Sequence, residues 1–311
     1  MTTAVLFGLL IAVSACAQMA GPNGEAAQWP QNARSLAQQL EQALRDYEAK
    51  TGREKAWANG DFALAKLKLE KARLLVHRYT PSDLRDQLVM RDLELGKRIV
   101  EALAVGKLPL RPDTGIIEKA YIADNDGSAQ PYVVYVPQTL KRGEKVPLFV
   151  FLHGYASYLD KVNWVELMFS EELGNLCEEL PMIAMLPFGR SNTEFMGVGE
   201  VDVLKAIELT KKFFPIDDGR VFISGGSMGG SGAYTITCHY PHLFAGLAPI
   251  NGRADYYLWQ RLDKDKLPPF KRIQTDLDYA AAFPHNLLNV PTFIFHGEMD
   301  SLVDVAQSRR F

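Results

Sequence analysis

The residues best suited to covalent chemistry stand together in Gly225-Gly226-Ser227-Met228-Gly229-Gly230, directly after the apolar run VFIS at residues 221–224. A serine framed as Gly-x-Ser-x-Gly between a strand and a helix marks a sharp turn that lifts the hydroxyl above a sheet edge as a nucleophile. Gly225 and Gly229 are expected because a side chain at a flanking position would strike neighbouring backbone. The helix that follows would set its unpaired amides and positive dipole end beneath developing negative charge. A phosphate-binding turn is the competing use of such a loop. Its details are missing, since no Lys-Ser/Thr pair follows and the spacing is not Gly-x-Gly-x-x-Gly.

Acyl transfer through a serine also needs two amide donors about 3 Å from the oxyanion, and a carboxylate to hold the base. The amide of Met228, next to the nucleophile, is one donor. Tyr155 offers the other, in His153-Gly154-Tyr155 at the end of the run LFVFL at residues 148–152. His153 invites assignment as the base, but its place before Gly154 reads as a structural histidine orienting the turn. Asp300, in His296-Gly297-Glu298-Met299-Asp300, is the preferred acid, with Asp255 and Glu298 as alternatives.

Positioning these groups takes a sheet. Short, nearly continuous apolar runs at residues 148–152, 182–186, 221–224, 247–250 and 292–295 alternate with helical stretches such as 201–214. That is the pattern of a buried, mostly parallel sheet with crossover helices, an α/β fold. Ahead of it, residues 116–123 and 131–136 flank Asp126-Gly127-Ser128 and predict an antiparallel pair.

Residues 31–111 read as a small helical segment. One stripe runs through Leu36, Leu40, Leu44 and Tyr47, and a second through Leu64, Leu67, Lys71, Leu74 and Leu75. Thr80-Pro81-Ser82-Asp83 then restarts a helix, with Ser82 as its cap. The segment holds 16 Lys and Arg against 11 Asp and Glu. That basic surplus reads as a solvated face, with docking on an acidic body as the alternative.

Residues 5–13 (VLFGLLIAV) form an apolar run of nine, too short to span a membrane at roughly 20 residues but suited to an export signal. Residues 1–17 are therefore expected to be a signal and residues 18–30 a tether. Val13-Ser14-Ala15-Cys16 allows lipidation of Cys16, and Ala15-Cys16-Ala17 allows ordinary cleavage instead. Export implies a periplasmic, secreted or membrane-tethered protein. Cys177 and Cys238 read as buried apolar side chains, and no spacing of Cys or His suggests a metal site.

Together the three motifs make the chain resemble the α/β-hydrolase superfamily, and within it secreted esterases of the prolyl-oligopeptidase-like, polyhydroxybutyrate-depolymerase-like and dienelactone-hydrolase-like kinds. The resemblance covers residues 116–311. It implies a serine esterase without cofactor, acting on a small-molecule or polymer-linked ester, and it supports Asp300 over Asp255 as the acid. Pro187-Phe188-Gly189-Arg190 and Gly199-Glu200-Val201-Asp202-Val203 also look like structural parts of such enzymes. Two departures stand out. Gly226 occupies the place where many relatives carry a larger residue before the nucleophile, and no His follows Asp300, although the fold's order is Ser, acid, His. The six histidines all precede the acid, and His285 is the least poor substitute.

With 311 residues, a net charge of -3 and a pI near 6.1, the composition fits a globular core plus an appendage and gives no electrostatic pull toward nucleic acid. A prolyl-oligopeptidase-like peptidase and an inactive scaffold that binds ligands are the rival functions. Substrate identity is not readable. Tyr155, Tyr158, Trp164, Phe195, Tyr256, Tyr257 and Trp259 either pack or rim a site. Only 11 residues follow Asp300, whereas a final helix, strand and loop would take roughly 20 to 40 more, so residues 112–311 are expected to lack the end of the domain.

Overall fold

The computed structural model describes residues 28–109, 112–141 and 143–311. The expected signal, Cys16 and most of the expected tether lie outside the described residues. In chain order the helices are α1 (Ala33–Thr51), α2 (Arg53–Trp57), α3 (Gly60–Arg78), α4 (Asp83–Ala104), α5 (Trp164–Met168) and α6 (Glu171–Glu179). They continue with α7 (Val198–Phe213), α8 (Met228–His239), α9 (Tyr256–Gln260), α10 (Pro269–Asp278) and α11 (Ala306–Arg310). The strands are β1 (Gly115–Ile122), β2 (Ala129–Val136), β3 (Val146–Leu152), β4 (Ile183–Pro187), β5 (Ile216–Gly226) and β6 (Gly246–Ile250), in sheet order β1-β2-β4-β3-β5-β6. The chain divides into two compact units.

The first unit gathers the described residues through Asp113 with Ile117–Tyr132 and Asp160–Ser170. Its helices begin where the sequence supplies caps. Asn59 Oδ1 accepts the amides of Asp61 and Phe62 at the head of α3, and Ser82 Oγ accepts that of Arg85 at the head of α4. Helices α1, α3 and α4 pack around Leu40, Leu67, Leu75, Leu88 and Leu93. Gly96 permits their close crossing, because a Cβ there would come within 2.8 Å of Leu40 Cδ2 and 3.2 Å of the Ala65 carbonyl.

The basic surplus is not all solvated, which corrects the sequence expectation. Lys68 and Lys71 on α3 are buried, and Arg85 on α4 is too. Lys68 hydrogen-bonds Glu118 of β1 and lies 3.3 Å from Asp92, while Lys71 Nζ reaches Glu118 Oε1 at 3.0 Å. Burial works against the Glu118 carboxylate, yet the two ammonium groups hold it well below the usual carboxylate range. Carboxylates on other elements compensate charges that an isolated amphipathic helix would have turned to water.

The second unit holds Thr114–Ile116, Val133–Leu159 and Glu171–Phe311. Strands β4, β3, β5 and β6 pair in parallel, with one face of β3 fully buried and the other, carrying Phe149 and Phe151, half-buried. Leu148, Val150, Ile183, Val221 and Ile223 are at most 1% exposed. Residues 292–295 extend the same parallel arrangement beyond β6. Leu247 bridges Thr292 and Ile250 bridges Phe295, with Phe293 N donating to Leu247 O at 2.9 Å and Phe295 N to Pro249 O at 3.1 Å. Cys177 and Cys238 are free and buried, and burial pushes both thiols up to about 12.

Candidate active site

Register brings the three motifs to one edge of the sheet. Leu152 pairs with Gly225, Gly226 with Ile250, and Ile250 with Phe295. His153-Gly154-Tyr155, Ser227 and the loop from His296 to Asp300 therefore emerge from the carboxyl ends of β3, β5 and the segment 292–295, with β6 between the last two, at the end of the sheet where open α/β sheets place their sites.

Ser227 stands between β5 and α8 with φ 54° and ψ −113°, a conformation that a residue with a Cβ rarely adopts. Its amide donates to Ile250 O at 2.8 Å, and the residue is exposed. The surrounding backbone over-determines this turn. A Cβ on Gly229 would fall on the Leu152 carbonyl, and one on Gly225 would lie 2.5 Å from the Gly229 carbonyl and 2.7 Å from that of Leu152. Gly226 differs, with nothing within 4 Å of an added Cβ, so the collision argument does not extend to it. Met228 N begins α8, so this amide sits at the positive end of a twelve-residue helix.

The turn bearing Tyr155 crosses Gly226, since a Cβ on Gly154 would lie 3.6 Å from the Gly226 carbonyl. Asn192 braces it with two hydrogen bonds to the main chain of Ala156, at 2.7 and 3.3 Å. The imidazole of His153 is buried, each ring nitrogen 2.9 Å from a main-chain carbonyl, one of Gly154 and one of Phe188. Burial lowers its pKa more than those carbonyls raise it, so the ring is neutral near pH 7 and donates through one nitrogen. Phe195 packs edge-on against it at 4.9 Å.

Asp300 Oδ1 accepts the amides of Leu302 at 2.8 Å and Val303 at 2.9 Å, and these two donors hold its carboxyl below the usual range. Its Oδ2 is 3.8 Å from His296 Nε2. That imidazole is already engaged, by Ser308 Oγ at 2.6 Å and Val303 O at 2.7 Å. The alternative acids are tied to other work. Asp255 caps α9 through the amide of Leu258 and pairs with Arg310, and Glu298 pairs with Arg309. His239 is held by Glu200, and His285 stands exposed in the turn Pro284–Leu287. Among the described residues, the Ser227 hydroxyl has no hydrogen-bond partner. None offers a cluster of three metal-ligating side chains.

Several supports were missed by sequence reasoning. Asn251, at φ 50°, takes the Phe295 carbonyl with its amide and accepts Gly297 N on its side chain, joining the β6 end to the acid-bearing loop. Asn-Gly at 251–252 was the available turn signal. Gln307 Oε1 accepts the amides of Ala254 and Asp255, a contact 52 to 53 residues away along the chain that no local pattern announces. Of the aromatic residues, Trp164 and Phe195 are fully buried and are packing, whereas Tyr155 and Tyr158 are exposed. A cavity of about 160 Å³ lies among Tyr256, Tyr257, Asp276, Tyr279, Arg310 and Phe311, and none of the three motifs lines it.

Residues 190–311 match the prolyl oligopeptidase family. Similar solved structures include a puromycin-hydrolyzing peptidase of Mycobacterium tuberculosis, at 18% identity over 65% of this chain and 34% of that one, with a TM-score of 0.51. The chain has the α/β-hydrolase fold. A thermostable esterase is 22% identical over 62% of this chain and 49% of its own, with a TM-score of 0.46. S-formylglutathione hydrolase FrmB from Staphylococcus aureus is 18% identical over 63% and 83%, at 0.45. The chain thus spans about half the length of the thermostable esterase. No curated protein matches it. The hydrolase-fold unit places the Ser227 turn, the Tyr155 turn and the Asp300 loop at the carboxyl ends of its strands.

Proposed function

We propose that the chain is a serine hydrolase of carboxylic esters that works through a covalent acyl-enzyme. The observation that carries this reading is the strained Ser227 turn, held by the Gly225 and Gly229 contacts, with the Tyr155 motif at the end of the adjacent β3 and the Asp300 loop after the segment that pairs with β6. Ser227 Oγ attacks the ester carbonyl and forms the C–O bond while a base takes its proton. The amides of Met228 and Tyr155 hold the oxyanion, the alcohol leaves with the proton returned, and water then releases the acid. Asp300 is the acid that orients the base. The engaged rings of His153, His239 and His296 are not assigned as that base. No cofactor enters these steps. The leader reading places the protein outside the cytoplasm, with Cys16 as its tether where lipidated.

The match to the prolyl oligopeptidase family favours a second reading, in which the acyl group belongs to a peptide. Turnover of a small aryl ester against that of a proline-containing peptide separates the two. Ser227→Ala should abolish both labelling of the full-length chain by a fluorophosphonate and hydrolysis of the ester. Labelling that persists in that variant overturns the assignment of Ser227. An intact serine that never labels supports a scaffold that binds without turning over.

A further inference from the structure

Helix α10 has its amphipathic pattern turned outward. Phe270, Ile273 and Leu277 fall at the i, i+3, i+7 spacing that normally faces a core, yet they are 66, 62 and 58% exposed, and no residue of the helix is buried. The opposite side carries the polar residues and is held by polar struts. Tyr257 Oη donates to Asp276 Oδ1 at 2.9 Å and lies 3.2 Å from Arg272 O, Lys264 pairs with Asp276, and His239 Nε2 meets Leu277 O at 2.9 Å. Both carboxylates of the helix thus lie inward, Asp276 in these bonds and Asp278 half-buried. The outer face shows Phe270, Lys271, Ile273, Gln274 and Leu277, with no acid among them. Residues 261–273 carry five Lys and Arg against two Asp. Arg261 and Lys271 are exposed and make no ion pair among the described residues.

We propose that α10 docks the protein on an anionic phospholipid surface, burying Phe270, Ile273 and Leu277 among the acyl chains while Lys271 meets the headgroups. An aromatic and aliphatic stripe edged by cations is the chemistry that lies in such an interface. A second copy of this chain fits less well. Three side chains fall far short of the roughly 1,000 Å² of a stable interface. The inference is independent of whether Ser227 turns over a substrate.

The test is sedimentation of the full-length chain with vesicles of phosphatidylcholine, with and without phosphatidylglycerol. The F270S/I273S/L277S variant should bind phosphatidylglycerol vesicles at least about tenfold more weakly than the parent. K271E should weaken binding to those vesicles while leaving the weak binding to neutral ones unchanged. Comparison within one background removes the contribution of the apolar leader. Equal vesicle binding by parent and triple variant overturns the proposal, as does equal binding of the parent to neutral and anionic vesicles. So does a concentration-dependent dimer of the parent that the triple variant abolishes without any change in vesicle binding. Should the triple variant unfold, the single charge reversal decides in the same way.

Discussion

Two strand ends on either side of β6 carry the proposed nucleophile and the proposed acid, and they are built on different physics. The turn at Ser227 is clamped between β3 and β6, where Gly225, Gly229 and Gly230 meet main-chain atoms at distances that leave no room for a Cβ. The segment leading to Asp300 pairs only with β6, and its apolar side chains face outward, with Phe293 71%, Phe295 57% and Met299 94% exposed. One end is fixed by packing. The other is fixed by hydrogen bonds, through Asn251 to Gly297 and through Asp300 to the amides of Leu302 and Val303. Packing on all sides resists substitution, whereas a loop held by a few polar contacts opens more readily.

The largest consequence falls on the packed end. Gly229→Val should cost about 3 kcal/mol or more in urea unfolding, because its Cβ would meet the Leu152 carbonyl, and backbone in a central strand cannot yield as a side chain tip can. A cost below about 1 kcal/mol would show that β3 and α8 can separate there, and would erase the contrast between the two ends.

How far the sequence discloses this arrangement follows from the range of each interaction. Apolar runs at period and length typical of buried strands marked β3 to β6, and Gly-x-Ser-x-Gly marked the strained turn, because those signals reside within a few consecutive residues. Ser82 was likewise legible as a helix cap. The partners of Lys68 and Lys71 were not, since Glu118 lies 50 and 47 residues further along the chain, and neither was the hold of Gln307 on Asp255. Trp164 and Phe195 looked like loop aromatics because local pattern cannot tell a rim from a core. Phe195 is buried at φ 55°, and only the Cβ-free faces of Gly189 and Gly232 make room for it.

A smaller effect distinguishes positions within the Ser227 turn itself. Gly226→Ala meets open space, so it should change unfolding free energy by less than about 1 kcal/mol while Gly225→Ala, facing two carbonyls, costs more. Equal costs at 225 and 226 would mean that backbone conformation, rather than contact, selects glycine at both. At the exposed end, Phe293→Ser should stay within about 0.5 kcal/mol, as for an ordinary surface site. A loss of several times that would mean that Phe293 is covered in solution, which would put the two strand ends on an equal footing.

The smallest expected change sharpens the contrast through pH, at the strut beneath α10. His239 Nδ1 lies 2.6 Å from Glu200 Oε2 and Nε2 lies 2.9 Å from Leu277 O, so both nitrogens face acceptors and the charged ring satisfies both. The hydrogen bond to Glu200 raises its pKa above the ordinary 6.5 against the opposing effect of burial, with Asp278 adding to the rise and Tyr240 sharing Glu200. A raised folded pKa means that this contribution to stability is fully present below 6.5 and is lost as pH climbs through the folded value. Hydrogen exchange at residues 277–279, corrected for its intrinsic pH dependence, should therefore quicken between pH 6 and pH 9, while the amide of Ser227, bonded to Ile250 O, should keep its protection. His239→Gln should remove the pH dependence at residues 277–279. If Ser227 loosens in step with them, the packed turn is not independent of the polar strut, and the distinction between packed and hydrogen-bonded support fails at the point where it predicts most clearly.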